Sequence, residues 1–176
     1  MSIPKQANPA KLVIGVFLNE KELIHPVAEA LGQRFGSIDM ASRWMNFDFT
    51  NYYEKEMGAP LYRRLFAFKE LIEQEALSRI KIHTNQLEAA HIDCGKRKVN
   101  IDPGYLLHER FVLATGKNFS HRIYIGNRIY ADLTLMYKGG GFKTLPWTYP
   151  DYAHGTLISW LELVRKKYAA DMKRLS

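Results

Sequence analysis

Apolar residues fall in short blocks whose spacing changes along the chain, and each change marks an element. Leu12 to Leu18 is a run of Leu, Val, Ile and Phe broken only by Gly15 and closed by Asn19, which predicts a buried, central strand. Leu23, Val27, Leu31 and Phe35 follow at helical spacing, with Asn19 and Glu22 spaced as a capping box and Gly36 as the stop. Pro26 interrupts that helix; it either kinks the segment or marks a restart with His25 as an imperfect cap. Ile38 to Phe49 alternates poorly, but Trp44, Phe47 and Phe49 suit a strand or hairpin arm, and Asn51 to Gly58 reads as a polar turn or short helical turn. Leu61 to Ile72 fits a helix through Leu61, Leu65, Phe68 and Ile72, and a strand through Leu65-Phe66-Ala67-Phe68; the strand is the favoured reading. Leu77, Ile80, Thr84 and Leu87 place an amphipathic helix over 73–91.

Beyond that helix, Lys98 to Ile101 reads as a short strand stopped by the turn dipeptide Pro103-Gly104, and Leu107 to Thr115 as another strand. Arg122 to Ile125 and Ile129 to Tyr137 form the strongest local signal, a hairpin around the three-residue turn Gly126-Asn127-Arg128. That turn sets Arg122 opposite Asp132 and Tyr124 opposite Tyr130 on a polar face, and assigns Ile123, Ile125, Ile129, Ala131, Leu133 and Leu135 to the apolar one. Gly139-Gly140-Gly141 ends the hairpin. Thr156 caps a final helix with an inward stripe of Leu157, Leu161, Val164, Tyr168 and Leu175.

Residues 1–10 read as a tail and 11–176 as a single α+β domain. Its sheet is mainly antiparallel with helices packed on it, and the first six elements are compatible with a split βαβ, ferredoxin-like core to which a C-terminal hairpin and helix are added. Were 61–72 helical, that topology would fail.

The 176 residues, 47% hydrophobic and 24% charged, exclude disordered, collagen-like and coiled-coil classes. No apolar run approaches the ~20 residues of a membrane helix, and no secretory pattern opens the sequence. With the single Cys94, this points to a reducing, cytoplasmic setting. The formal charge of +7 suits anionic partners. No phosphate-binding glycine loop, dinucleotide fingerprint, zinc-protease helix or paired C-x-x-C is present, which argues against a conventional nucleotide triphosphatase and leaves any cofactor unknown.

Four segments carry candidate chemistry. In Asn100-Ile101-Asp102-Pro103-Gly104-Tyr105 a stiff turn would fix the Asp102 carboxylate, either toward a substrate or metal or onto nearby amides as an ordinary Asx turn. In Ser120-His121-Arg122, His121 offers proton exchange and Arg122 bidentate capture of a carboxylate or phosphate, with Tyr124, Tyr130, Asp132 and Thr134 on the same hairpin; the alternative is a solvated Arg122–Asp132 pair and a core histidine. Residues 47–58 interleave Asp48 and Glu56 with aromatic rings that either flank a substrate or pin the loop. In residues 145–152, Trp147, Tyr149 and Tyr152 wall a pocket facing Asp151, or pack the connection across the sheet. Arg63 and Arg64, and the run Lys96-Arg97-Lys98, are further phosphate-binding candidates or solvated edge charges, and the basic terminal helix offers Arg165, Lys166 and Lys167 to nucleic acid or to solvent.

The phrases Phe47-Asp48-Phe49-Thr50 with Tyr52-Tyr53-Glu54-Lys55-Glu56-Met57-Gly58, the Asn100–Tyr105 phrase, Ser120-His121-Arg122-Ile123-Tyr124 and Leu145-Pro146-Trp147-Thr148-Tyr149-Pro150-Asp151-Tyr152 occur in that order. Together they resemble the prokaryotic domain of unknown function 4416 family over almost the whole chain. The resemblance implies a stand-alone cytoplasmic protein and carries over no activity, cofactor or catalytic residue. Pro26 and Arg128, the latter where a turn glycine is expected, depart from the pattern.

On the residues themselves, the expectation is a polar pocket binding or acting on a small anionic ligand, phosphate-bearing in one version. Arg122 and Arg63 would hold the anion and His121 would exchange a proton. Asp102 and Asp132 would orient the ligand or hold a metal, and Tyr105, Tyr124, Tyr130 and Trp147 would complete the binding surface. The alternative is an RNA or other acidic-macromolecule binding module, which requires exposed rings beside basic residues.

Overall fold

The computed structural model describes residues 1–47 and 54–175. In chain order the elements are β1 (Ala10–Leu18), α1 (Ile24–Phe35), β2 (Ile38–Ala41), β3 (Met45–Asn46), α2 (Glu54–Met57), β4 (Tyr62–Ile72), α3 (Leu77–Ala89), β5 (Ile92–Asp93), β6 (Lys96–Arg97), β7 (Val99–Leu106), β8 (Arg110–Thr115), β9 (Arg122–Tyr124), β10 (Tyr130–Lys138), β11 (Gly141–Thr144), α4 (Pro150–Ala153) and α5 (Gly155–Leu175). The main sheet runs β11-β10-β8-β7-β1-β4-β2, with β3 paired to β4 and β9 to β10. Its segment β7-β1-β4-β2, antiparallel throughout and with α1 and α3 as crossovers, has the strand order of a ferredoxin-like core. The C-terminal strands extend the sheet past β7 and α5 covers its far side. The domain is α+β, and the segment read as either helix or strand is the strand β4, Tyr62–Ile72.

β1 is buried at every position because both faces of the sheet are covered. Leu12, Ile14, Val16 and Leu18 meet Ile24, Val27 and Leu31 of α1 and Ile80 of α3 on one side. Val13, with Leu65 and Ala67 of β4, meets Leu157, Leu161, Val164 and Tyr168 of α5 on the other. Lys11 shares that second face and is fully buried; its ammonium donates to Asp39 and Asp171, each at 2.9 Å, tying β1, β2 and α5 together. Leu175, expected in the inward stripe, is 68% exposed.

Several expectations are corrected. Asn19 does not cap α1: its side chain donates to the Met57 carbonyl at 3.0 Å, and a single 3-10 turn leads into the helix. Pro26 sits in the first turn of α1, where its missing N–H has no intrahelical acceptor, so no kink is needed. Gly139 and Gly140, at φ 59° and 83°, make a two-residue turn into a further strand, β11, rather than ending the sheet there. The final helix starts at Gly155, ahead of Thr156.

The hairpin register is as expected: Arg122, Ile123 and Tyr124 stand opposite Asp132, Ala131 and Tyr130. Its turn closes with the Ile125 N–H donating to the Ile129 carbonyl at 2.9 Å, and Arg128 accepts the left-handed φ of 61° that glycine would take more readily. The single apolar face does not survive. A bulge between Leu133 and Leu135, where β10 pairs β8, changes the phase of alternation. Leu133 packs with Leu77 and Ala114 beside α3, whereas Leu135 enters the cluster under α5. Ile123 is exposed, and Asp132, on the face read as polar, is buried, which removes the alternative of a solvated Arg122–Asp132 pair.

Among the described residues no helix is long and apolar enough to cross a membrane.

Candidate functional site

The largest correction creates the site. β7 does not stop at Pro103-Gly104 but runs through them, paired to β1 along Val99–Leu106. On its other edge it pairs with β8 only over Gly104–Leu106, after which β8 departs with β10. The sheet therefore divides between β7 and β8. Gly104 belongs at the last point of contact, because a β-carbon there would stand 2.5 Å from the Val112 carbonyl oxygen. Pro103 comes next, at the first position where β8 gives no partner and a missing N–H costs nothing.

Ile101 faces the same gap, and its backbone groups need partners. α3 supplies them. Glu88 Oε1 accepts the Ile101 N–H at 2.7 Å, and Lys81 Nζ donates to the Ile101 carbonyl at 2.7 Å. Lys81 also lies 3.6 Å from Glu88 and 3.5 Å from Asp102 Oδ1, while Asn100 donates to Asp102 Oδ2 at 2.7 Å. Glu88 Oε2 takes Arg97 Nη1 at 3.0 Å, and Arg97 pairs with Glu56 as well. Burial works against the charge on Arg97, but Glu88 and Glu56 outweigh it and raise its pKa above the ordinary arginine value.

This network forms one wall of a cleft of about 930 Å³. β8 and the turn after it give the opposite side through Ala114, Thr115 and Lys117; Asp132, Tyr149, Asp151 and Tyr152 close the end, with Phe17 and Phe47 from the ferredoxin-like half. Asp102 and Asp132 thus converge on a single concavity from strands far apart in sequence.

The remaining candidates are placed around it unequally. His121 and Arg122 do not line the cleft; both donate to Asp132 Oδ2, at 3.1 and 2.9 Å, and the side chains of Asp132, Arg122 and His121 are only 3%, 8% and 9% exposed. Arg122 spends its other donors on the Lys117 carbonyl and the Tyr149 hydroxyl. His121 stacks on Trp147 with ring centroids 4.8 Å apart, and Trp147 donates its indole N–H to the Leu133 carbonyl at 2.8 Å. Arg63 is buried between the rings of Phe17 and Tyr152 and paired with Asp151. Tyr105, its pKa raised by burial, and the edge-to-face pair Tyr124–Tyr130 lie outside the cleft lining, as does Trp147. Asp48 lies outside the described residues, and Glu56 is in the cleft. No cluster of three or more His, Cys, Asp or Glu side chains among the described residues is arranged to hold a metal ion.

Lys81, Glu88 and Asn85 were missed because on a helix they read as its solvated side. A family model for the domain of unknown function 4416 matches residues 8–168, which spans both the ferredoxin-like half and the C-terminal strands that complete the cleft. The chain belongs to this family. No curated protein and no solved structure matched the chain.

Proposed function

We propose that the cleft where the sheet divides binds a small anionic molecule that also carries hydroxyl groups, with sugar phosphates as the representative class. The observation that carries this reading is the convergence of Asp102 and Asp132 with Lys81, Arg97 and Lys117 on one cavity of about 930 Å³, a volume in the range of small-molecule sites. A bare anion would meet Asp102, Glu88 and Asp132 as like charges, which costs affinity. A ligand that presents hydroxyls to Asp102 and Asn100, its anionic group to Lys117 and Arg97, and a C–H face to the ring of Tyr149 meets a complementary partner at each wall. Asp102 keeps 27% of its side chain exposed, so it is the carboxylate placed to accept a ligand hydroxyl and, where the ligand is a substrate, its proton. Asp132, His121, Arg122 and Arg63 act in this reading as supports for the wall.

The test is a thermal-shift screen against sugar phosphates, nucleotides and inorganic phosphate. A ligand present at about 100 times its Kd adds about 2.7 kcal/mol, which for a chain of this length raises Tm by about 5 to 10 °C. The shift should disappear in Asp102→Asn and shrink in Lys117→Ala, with both variants folded. Absence of any hit, or a hit retained in both variants, would end this reading.

A second reading, single-stranded RNA binding, is favoured by one observation. Phe119, Tyr124, Trp147 and Tyr149 are exposed, at 64%, 58%, 37% and 47%, in segments that also carry the exposed Lys117 and Arg128. Filter retention of labelled RNA at low salt, lost in Phe119→Ala with Tyr124→Ala, would establish it; no retention would dismiss it.

A further inference from the structure

α3 separates two cavities. Lys81, Asn85 and Glu88 face the cleft described above, whereas Arg79, Ile80 and His83 face a groove of about 530 Å³ shared with the end of α1. In that groove Arg34 Nη2 lies 2.5 Å from His83 Nε2, and His83 Nδ1 lies 3.4 Å from Gln86 Oε1. One tautomer satisfies both: Nδ1 carries the proton toward Gln86, and Nε2 accepts from the guanidinium. His83 thereby orients Arg34 without neutralising it. Among the described residues neither Arg34 nor Arg79 has a carboxylate within 4.0 Å, although Glu70 lines the same groove against Gly36. The buried cations Lys11, Arg63 and Lys81, by contrast, all sit on carboxylates, as do Arg97 and Arg122.

Two arginines that line one groove with no carboxylate within 4.0 Å of either guanidinium match the recognition pattern for an external anion, since forked N–H donors fit phosphate oxygens. Apolar walls from Phe35, Ile72 and Ile80 extend the groove beyond what a bare anion would touch. We infer that this groove between α1 and α3 is a second ligand site, binding the phosphate of an organic monoester through Arg34 and Arg79 with its carbon portion against Phe35, Ile72 and Ile80.

The site carries its own reporter. Ring resonances of His83, assigned with His83→Gln, are followed by NMR while inorganic phosphate or phenyl phosphate is added at constant ionic strength. Saturable movement is expected for both, with phenyl phosphate binding several-fold more tightly. Arg34→Gln and Arg79→Gln, both at exposed positions, should each weaken binding by about tenfold, the loss of one charge-assisted contact. Asp102→Asn should leave this titration unchanged, which separates the groove from the cleft. No saturable movement beyond a sodium chloride control, or undiminished binding in Arg34→Gln, overturns the site. Equal affinity for the two probes overturns the organic ester.

Discussion

Asp132 and Asp102 line one cleft, yet their surroundings assign them opposite duties, and truncating each to alanine separates those duties. Asp132 accepts from Arg122 Nε at 2.9 Å, from His121 Nε2 at 3.1 Å and from the Thr134 hydroxyl at 3.4 Å, in a pocket that leaves its side chain 3% exposed. Removing one partner of a buried ion pair costs about 3 to 5 kcal/mol because the other charge is left uncompensated. Arg122 would still hold the Lys117 carbonyl at 3.0 Å and the Tyr149 hydroxyl at 2.7 Å, so the lower end, about 3 kcal/mol, applies. Asp102 holds Asn100 at 2.7 Å but Lys81 only at 3.5 Å, and Lys81 keeps Glu88 and the Ile101 carbonyl when Asp102 is gone. Its loss is worth about 1 kcal/mol. At about 2 to 4 °C per kcal/mol for a chain of this length, Asp132→Ala should lower Tm by about 6 to 12 °C and Asp102→Ala by about 2 to 4 °C. Differential scanning calorimetry with reversibility checks measures both. If Asp132→Ala is no more destabilised than Asp102→Ala, the division into supporting and ligand-facing carboxylates is wrong.

Three further outcomes follow from the geometry. Gly104→Ala, whose β-carbon would meet the Val112 carbonyl at 2.5 Å and Leu113 at 3.0 Å, should lose about 2 to 3 kcal/mol in urea unfolding, while Gly116→Ala, with nothing within 4 Å, stays near wild type; equal effects would place the last β7–β8 contact elsewhere. Lys81→Met should cost about 2 kcal/mol in urea unfolding by leaving the Ile101 carbonyl without its donor and removing one of the charges beside Glu88, which keeps Arg97 and the Ile101 N–H; a loss near zero would show that Lys81 does not complete the strand edge. Asp171 is opposed by burial, but hydrogen bonds from Lys167 and Lys11 outweigh this and hold its pKa below the ordinary carboxylate value, so the stability it contributes is complete above the unfolded value of about 3.9 and lost as pH falls through the folded one. The stability gap between wild type and Asp171→Asn should therefore be constant near neutrality and close below about pH 4, and a gap that persists to pH 2.5 contradicts the assignment.

What the sequence showed was whatever local pattern decides. The Leu12–Leu18 run announces a strand covered on both faces, and the spacing between Ile125 and Ile129 sets the hairpin register. The ferredoxin-like order follows once 61–72 is read as strand. What stayed hidden depends on partners distant in the chain. Nothing local marks Lys11, the first residue after the tail, as a buried cation; its partner Asp171 is 160 residues away. Arg63 and Asp151 are likewise 88 residues apart. The bulge at Thr134 leaves no mark in a run of alternating residues, so Leu133 and Leu135 could not be sent to opposite faces from the pattern alone. Pro103-Gly104 misled for a definite reason: the dipeptide that suits a turn also suits the place where one neighbouring strand comes very close and then leaves.

That dividing point explains why a cleft lined by so many charges lies inside an ordinary sheet. A sheet paired continuously from β1 to β11 would have no concavity there, and opening one exposes backbone groups that strands normally satisfy. Pro103 removes one donor from the gap, and Lys81 and Glu88 take the place of the absent strand at Ile101. The charged wall is thus first a solution to a hydrogen-bonding problem and only then a surface for a ligand. Glu88 illustrates the consequence: it lines the cleft, but replacing it would unfasten the Ile101 N–H and Arg97 together, and lost binding would report a collapsed wall. Asp102 carries the same charge into the same space while holding up far less, so a binding defect in Asp102→Asn bears on recognition in a way that a defect in a Glu88 variant cannot.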